Sequence, residues 1–368
     1  MSTWTDRRIL DLFGIDSPII QAPMAGASSP DMVIAVSEAG GLGSLGCAMH
    51  GPEQLRADLG IIGQRTSRPI NVNFFCHGAP EPDAGREAAW LKQLAPYYAE
   101  FGLDAAAISV GPLRAPFNQA MCDVVTEFKP PVVSFHFGLP ERRLMERVRQ
   151  TGAKIISSAT SVAEARWLEA QGCDAVIAQG YEAGGHRGMF LSSDIAGQTG
   201  TMALVPQVVD AVGVPVIAAG GIADGRGIVA ALALGAAAVQ IGTAYLFCPE
   251  SMVTPLHRAA LKSALDDDTV LTNVFTGRPA RGIANRFIRE VGPISPQAPQ
   301  FPLAANTAAP LRAAAEARGS GDFSALWSGQ AVALGRELGA GELTLQLAAD
   351  AAERLSALSV ASRRNNAG

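Results

Sequence analysis

Eight short apolar runs, each followed by a small-residue turn and then a helix-like stretch, constrain this chain most. They are "SPIIQAPM", "GGLGSLG", "PINVNFF", "PPVVSFHFG", "AKIISSAT", "CDAVIAQG", "VPVIAAGG" and "AAVQIGTAYLF". Continuous apolar runs bounded by turns fit strands buried on both faces. The segments between them, such as "SPDMVIAVSEAG", "SVAEARWLEAQG" and "GRGIVAALALGA", carry apolar residues at helical spacing. Gly172 and Gly235 stand where two of these helices should end, as left-handed caps. Alternating strand and helix predicts a parallel sheet with right-handed crossovers. A count of eight predicts an α/β chain closed into a TIM (β/α)8 barrel, not an open doubly wound sheet. "AAAISV" at 105–110 is a ninth candidate that would break the count. The stretch 76–130 around it reads as an elaborated connection after the third strand.

The pattern changes after about residue 250. "SMVTPLHRAALKSALDDD" predicts a helix, "VGPISPQAPQFPLAANTAAP" irregular proline-rich chain, and "DFSALWSGQAVALGRELGAGELTLQLAADAAERLSAL" a return to helices. The expected organisation is a barrel over 1–250 and a small, mainly helical accessory region over 251–325, packed on the barrel mouth. C-terminal helices over 326–368 would rejoin the barrel. A chain of 368 residues, 48% hydrophobic and 17% charged, has enough apolar residues for such a core and is not a disordered one. The net charge of −5 and the lack of a basic tract argue against nucleic acid. Cys47, Cys76, Cys122, Cys173 and Cys248 are scattered without a C-x-x-C, which reads as reduced thiols. The N-terminus is too polar for a signal peptide, and no apolar run is long enough for a membrane span. The expectation is a cytoplasmic protein.

Active sites of such barrels form at the C-terminal ends of the strands. Polar and glycine-rich groups gather there in this chain: "QAPMAG", Asn73, His136 in "SFHFG", Gln179 running into "GYEAGGHRG", "GGIADG" and "QIGT". The loops after strands seven and eight, "GGIADG" (220–225) and "QIGT" (240–243), each precede a helix. Glycines let backbone amides approach an anion there, and the helix N-terminus favours it, so the pair reads as a phosphate site. Neither is a Walker loop or a G-x-G-x-x-G fingerprint. His186 stands among glycines that leave few local packing partners, and an imidazole can exchange a proton near neutral pH. It is read as a catalytic or substrate-binding group. Arg187 either anchors an anion or is solvated or ion-paired. His136 either faces the mouth or is a satisfied core group. His77 is a weaker candidate, and His50 and His257 read as structural or surface residues. Met24 either touches a flat ring or fills the core. No metal site is expected, because neither H-E-x-x-H nor a cysteine–histidine cluster is present.

Taken together, "QAPMAG", "NVNFF", "SFHFGLP", "GYEAGGHRG", "AAGGIADGRG" and "QIGT" resemble the nitronate monooxygenase family, in order from about residue 15 to 250. "LWSGQAVALGREL" extends the resemblance more weakly. "GGHRG" with "SFHFGLP" is most like the first class of that family. The resemblance implies FMN at the mouth of a TIM barrel. It implies that Asn73, Gln179, Gly184, Gly221, Gln240, Ile241, Gly242 and Thr243 bind FMN. Ala22, Met24 and Gly26 would lie against the flavin. His186 matches the family's catalytic histidine, and His136 a second histidine near the substrate. The implied reaction takes an alkyl nitronate and O2 to a carbonyl compound and nitrite. Partners would be the small-molecule nitronate and O2, with no nucleic acid or membrane, and with a homodimer left open. Some members carry two tyrosines and a lysine in a "YPLAY…K" stretch. Here "FPLAANTAAP" puts Phe301, Ala305 and Ala309 there, with Phe301 facing the substrate. That implies a more apolar nitronate, or another substrate. "AAGGIADG" and "QIGT" also occur in FMN-dependent NAD(P)H:quinone and enoyl reductases, the alternative activity. A non-catalytic phosphate-ligand barrel is a third reading.

Overall fold

The computed structural model describes residues 4–81, 83–104 and 115–365. Eight parallel strands form the barrel: β1 (Ile19–Gln21), β2 (Gly43–Gly46), β3 (Ile70–Phe75), β4 (Val132–His136), β5 (Lys154–Ala159), β6 (Ala175–Gln179), β8 (Val216–Ala219) and β9 (Ala238–Ile241). Each of the eight apolar runs supplies one. Neighbours in sequence pair in parallel from β2 to β6, then β6 with β8, β8 with β9, and β9 with β1. A bridge between Ile20 and Leu42 draws β1 towards β2 and nearly closes the circle. The ninth candidate at 105–110 lies outside the described residues. "QIGTAYLF" is strand only to Ile241; the chain turns helical over Thr243–Leu246.

The strand bodies are buried because helices cover their outer faces and side chains fill the interior. Gln21 ties part of that interior together: its Oε1 accepts the Ser44 amide at 2.8 Å, and its Nε2 donates to Ser28 Oγ at 3.0 Å. Gly172 and Gly235 follow the helices Val162–Ala170 and Gly225–Ala233 with φ of 84° and 95°, the left-handed stops expected of them. The long final helix, Ala340–Asn365, packs against the barrel helices Pro30–Glu38 and Gly225–Ala233. Tyr245 and Thr344 fasten it through hydroxyls 2.8 Å apart.

Above the mouth lies a second apolar core, and its composition differs from the expectation. A three-stranded antiparallel sheet joins the helices there: β10 (Thr269–Thr272), β11 (Ala280–Ile283) and the two-residue β7 (Gly185–His186). The end of the stretch expected to be irregular, from Ala304 to Pro310, belongs to the helix Ala304–Ala317. The core also recruits the helix Ala84–Phe101 from the connection after β3, through Trp90, Leu94 and Tyr98. Trp90 Nε1 donates to Thr307 Oγ1 at 2.8 Å, and the Tyr98 hydroxyl to the Thr307 carbonyl at 2.7 Å. Residues 322–339, expected to be helical, run instead as turns and irregular chain with one 3-10 helix.

Candidate active site at the barrel mouth

A cavity of about 500 Å³ opens at the C-terminal ends of the barrel strands and runs beneath the accessory region. Its wall includes Ala22, Met24 and Gly26 from the β1 turn and Asn73 from β3. His136 comes from β4, and Gln179, Gly184 and His186 from the β6 loop. Gly221, Gln240, Gly242 and Thr243 complete the side formed by the last two barrel strands. Two expected residues are not on the wall. Ile241 is buried behind it, its carbonyl accepting the Ala22 amide at 2.8 Å, because strand alternation turns its side chain away from its neighbour Gln240. Phe301 stands behind His186, ring centroids 5.4 Å apart, and edge-on to His77 at 4.8 Å.

His186 is not bare. Its ring lies 5.4 Å from Trp327 and 6.0 Å from both Phe75 and Phe137, and its Nε2 is 2.9 Å from Thr276 Oγ1. Local sequence could not show these partners, since all come from other elements. The backbone of His186 is clamped as firmly. It pairs with Ala280 of β11, and its carbonyl receives Gln179 Nε2 at 3.0 Å and His136 Nε2 at 3.2 Å. Gln179 Oε1 accepts the Gly188 amide at 2.7 Å, so this side chain spans its own loop. Three of the four loop glycines, Gly180, Gly184 and Gly188, answer to protein neighbours; Gly185 instead has open space and a φ of 71°. A Cβ on Gly184 would lie 2.5 Å from the Gly329 nitrogen, and one on Gly188 2.9 Å from the His136 ring.

His136 combines both of its expected roles: it lines the cavity, and both ring nitrogens are bonded. Nδ1 lies 2.9 Å from Ser158 Oγ, and burial, with Arg278 nearby, pushes the imidazole down to about 3. It is therefore neutral at pH 7. Arg187 is fully buried rather than solvated. It donates to the Gly180 and Gln179 carbonyls at 2.6 and 2.8 Å and to Gln198 Oε1 at 3.0 Å, and burial lowers it to about 10. Its function is to hold the loop, because each of its three nitrogens bonds protein and it does not line the cavity. His257 also lines the cavity, with Nε2 3.0 Å from the Trp327 carbonyl. His50 forms a half-buried contact of 2.8 Å with Asp58.

Some polar atoms on the wall have no partner among the described residues. Gln240 Oε1 is buried and has no hydrogen-bond partner. The amides of Gly221 and Gly242, both outside strands and helices, donate to no acceptor among the described residues. Such groups are normally satisfied, at a cost of about 1–3 kcal/mol when buried and left alone. Thr243 Oγ1 accepts the Gly329 amide at 2.9 Å, which brings the "LWSGQ" segment to the phosphate-type loop. Trp327, Thr276 and the Ser328–Gly329 segment were not singled out in the sequence, where Thr276 falls in the accessory region and 327–329 in the expected C-terminal helices.

A profile of the nitronate monooxygenase family matches residues 6–350. The chain belongs to the nitronate monooxygenase family. It is accordingly an oxidoreductase of a flavin-dependent family. It is 44% identical over 339 residues to a nitronate monooxygenase of Pseudomonas aeruginosa, covering 91% of this chain and 96% of that one. It is 43% identical to a nitronate monooxygenase of Paraburkholderia phytofirmans, covering 93% and 94%. Its fold superposes on nitroalkane oxidase from Streptomyces ansochromogenes with a TM-score of 0.87 at 42% identity, covering 95% and 99% of the two chains. FabK from Thermotoga maritima is more distant, with a TM-score of 0.72 at 31% identity, covering 96% and 98%. Among the described residues, no helix of this nitronate monooxygenase family member is long and apolar enough to cross a membrane.

Proposed function

We propose that this chain oxidises alkyl nitronates with O2 to a carbonyl compound and nitrite, using FMN at the barrel mouth. The observation that carries the reading is one cavity lined both by the enclosed His186 and by the unpartnered Gly221 and Gly242 amides and Gln240 Oε1. These residues fit FMN. The Gly221, Gly242 and Thr243 amides would take its phosphate, in the manner of backbone anion sites. Asn73 and Gln240 offer side-chain amides, and Ala22, Met24 and Gly26 a small, flat floor. Gln179 acts first by fixing the loop that carries His186. When bound, the flavin supplies the redox chemistry, taking electrons from the nitronate and passing them to O2.

The protein's own part is charge placement. A nitronate is already an anion, so His186 orients it and stabilises negative charge through its ring. With a neutral nitroalkane, the His186 imidazole is the group that takes the α-proton. Thr276 holds that ring by Nε2, and Trp327, Phe75 and Phe137 keep water from it, which strengthens each electrostatic contact. His136, neutral and bonded to the His186 carbonyl, steadies the loop from below. The test is oxygen uptake and nitrite release with ethyl nitronate in air without NADH, on protein purified with its chromophore. Absence of both sinks the proposal; rapid anaerobic bleaching by NADH would give the reductase reading instead.

A further inference from the structure

The cavity has two unlike walls. The barrel side is built from small and polar residues, whereas the accessory side carries Phe275, Phe323, Leu326 and Trp327. Phe275 and Trp327 meet at right angles, with ring centroids 5.6 Å apart and planes at 90°. They form a corner beside His186, because Trp327 lies 5.4 Å from that imidazole. Both rings are held from behind. Phe275 packs on Phe287 at 5.4 Å, and Phe287 on Phe323 at 5.3 Å. The Trp327 backbone bridges to Gly282, and its carbonyl accepts from His257 Nε2 at 3.0 Å. Phe275 also precedes Thr276, whose hydroxyl lies 2.9 Å from His186 Nε2, so one stretch of chain positions the corner and the imidazole together.

We infer that this corner is a subsite for an aryl group, and that the nitronates this site takes best carry a ring on a short apolar linker. The inference rests on the nitronate reading above. Two rings at right angles offer a face and an edge to the same space. A third ring entering it makes an edge-to-face contact with one and an offset stack with the other, worth about two- to tenfold in affinity beyond the area it buries. A saturated group of the same size gains the area alone. Trp327 touches both His186 and Phe275, so a ring in the corner is spaced from the nitronate carbon by a linker. The residues at 301, 305 and 309 predicted an apolar pocket; the tertiary structure adds aromatic character from residues 275 and 327, which lie outside that stretch.

The holoenzyme is tested with the nitronates of 2-phenyl-1-nitroethane and 2-cyclohexyl-1-nitroethane, which are alike in size and keep one methylene between ring and nitronate carbon. Phe275→Leu leaves an apolar side chain but removes one side of the corner. It should lower the phenyl-to-cyclohexyl ratio of kcat/KM by about two- to tenfold, mainly through KM. The cost of taking each substrate from water cancels, because the same pair is compared in both proteins. A site that is merely loosened would lose both substrates alike and keep the ratio. Trp327→Leu should lower the ratio in the same way and serves where Phe275→Leu does not fold. Calorimetric titration with 2-phenylethanol and 2-cyclohexylethanol reads the corner without turnover, and their binding ratio should fall by a similar factor. If neither substitution moves the ratio in turnover or in titration, the inference is overturned. If no nitronate is consumed but the binding ratio still falls with Phe275→Leu, the corner stands as an aryl site and the nitronate reading falls.

Discussion

His136 should make the fold acid-sensitive in a way one substitution removes. Its ring is bonded as a neutral imidazole: Nε2 donates to the His186 carbonyl, and Nδ1 accepts from Ser158 Oγ. Burial lowers its folded pKa from 6.5 to about 3. As pH falls, the unfolded chain takes up this proton first. The stability contribution is therefore complete above pH 6.5 and is lost as pH falls from there towards 3. Between pH 7 and pH 4 the loss comes to about 3 kcal/mol at roughly 1.36 kcal/mol per pKa unit. Water reaching the cavity face of the ring screens this to about 1–3 kcal/mol. His136→Gln keeps a donor and an acceptor but does not titrate. Carboxylates titrate alike in both proteins and cancel in the comparison. With an unfolding entropy of about 2.1 cal/mol/K per residue, a chain of this length shifts roughly 1.3 °C per kcal/mol. Melting followed by circular dichroism from pH 7 to pH 4 should bring the variant's Tm up relative to wild type by about 1–4 °C. Parallel curves would refute the reasoning, because they would mean that His136 takes up its proton equally in the folded and unfolded chain.

His186→Asn should cut turnover of a neutral nitroalkane by at least about a hundredfold, the lower end of acid–base contributions, while the flavin absorbance is retained; loss of the chromophore instead would assign the ring a structural role. Gln240→Leu should stabilise the ligand-free protein by about 1–3 kcal/mol by removing an unpartnered acceptor, yet lower flavin retention on gel filtration. An unchanged apo Tm would show that Oε1 is already satisfied by solvent. Gly184→Ala drives a Cβ against backbone at Gly329 and should cost about 1–3 kcal/mol, read by urea unfolding, because backbone cannot swing aside as a side chain does.

The family and the barrel could be read locally. Eight apolar runs, their spacing and the stops at Gly172 and Gly235 are short-range signals, and each became the element expected of it. The strand-end rule then placed Ala22, Asn73, Gln179, Gln240 and Thr243 on the cavity wall, because a parallel barrel puts all those ends on one side. Alanine-rich "AANTAAPLRAAAEA" carried a helical propensity that Pro310 and the prolines before the segment masked. What sequence could not supply were contacts between distant segments. The glycines of "GYEAGGHRG" suggested space around His186, but the tertiary structure fills it with Phe75, Phe137, Phe301 and Trp327, and with β11 alongside. Arg187 proved to be a buried staple, and Phe301 a support behind the histidine. The barrel followed from local periodicity; the surroundings of His186 were decided by long-range packing, which no local pattern encodes.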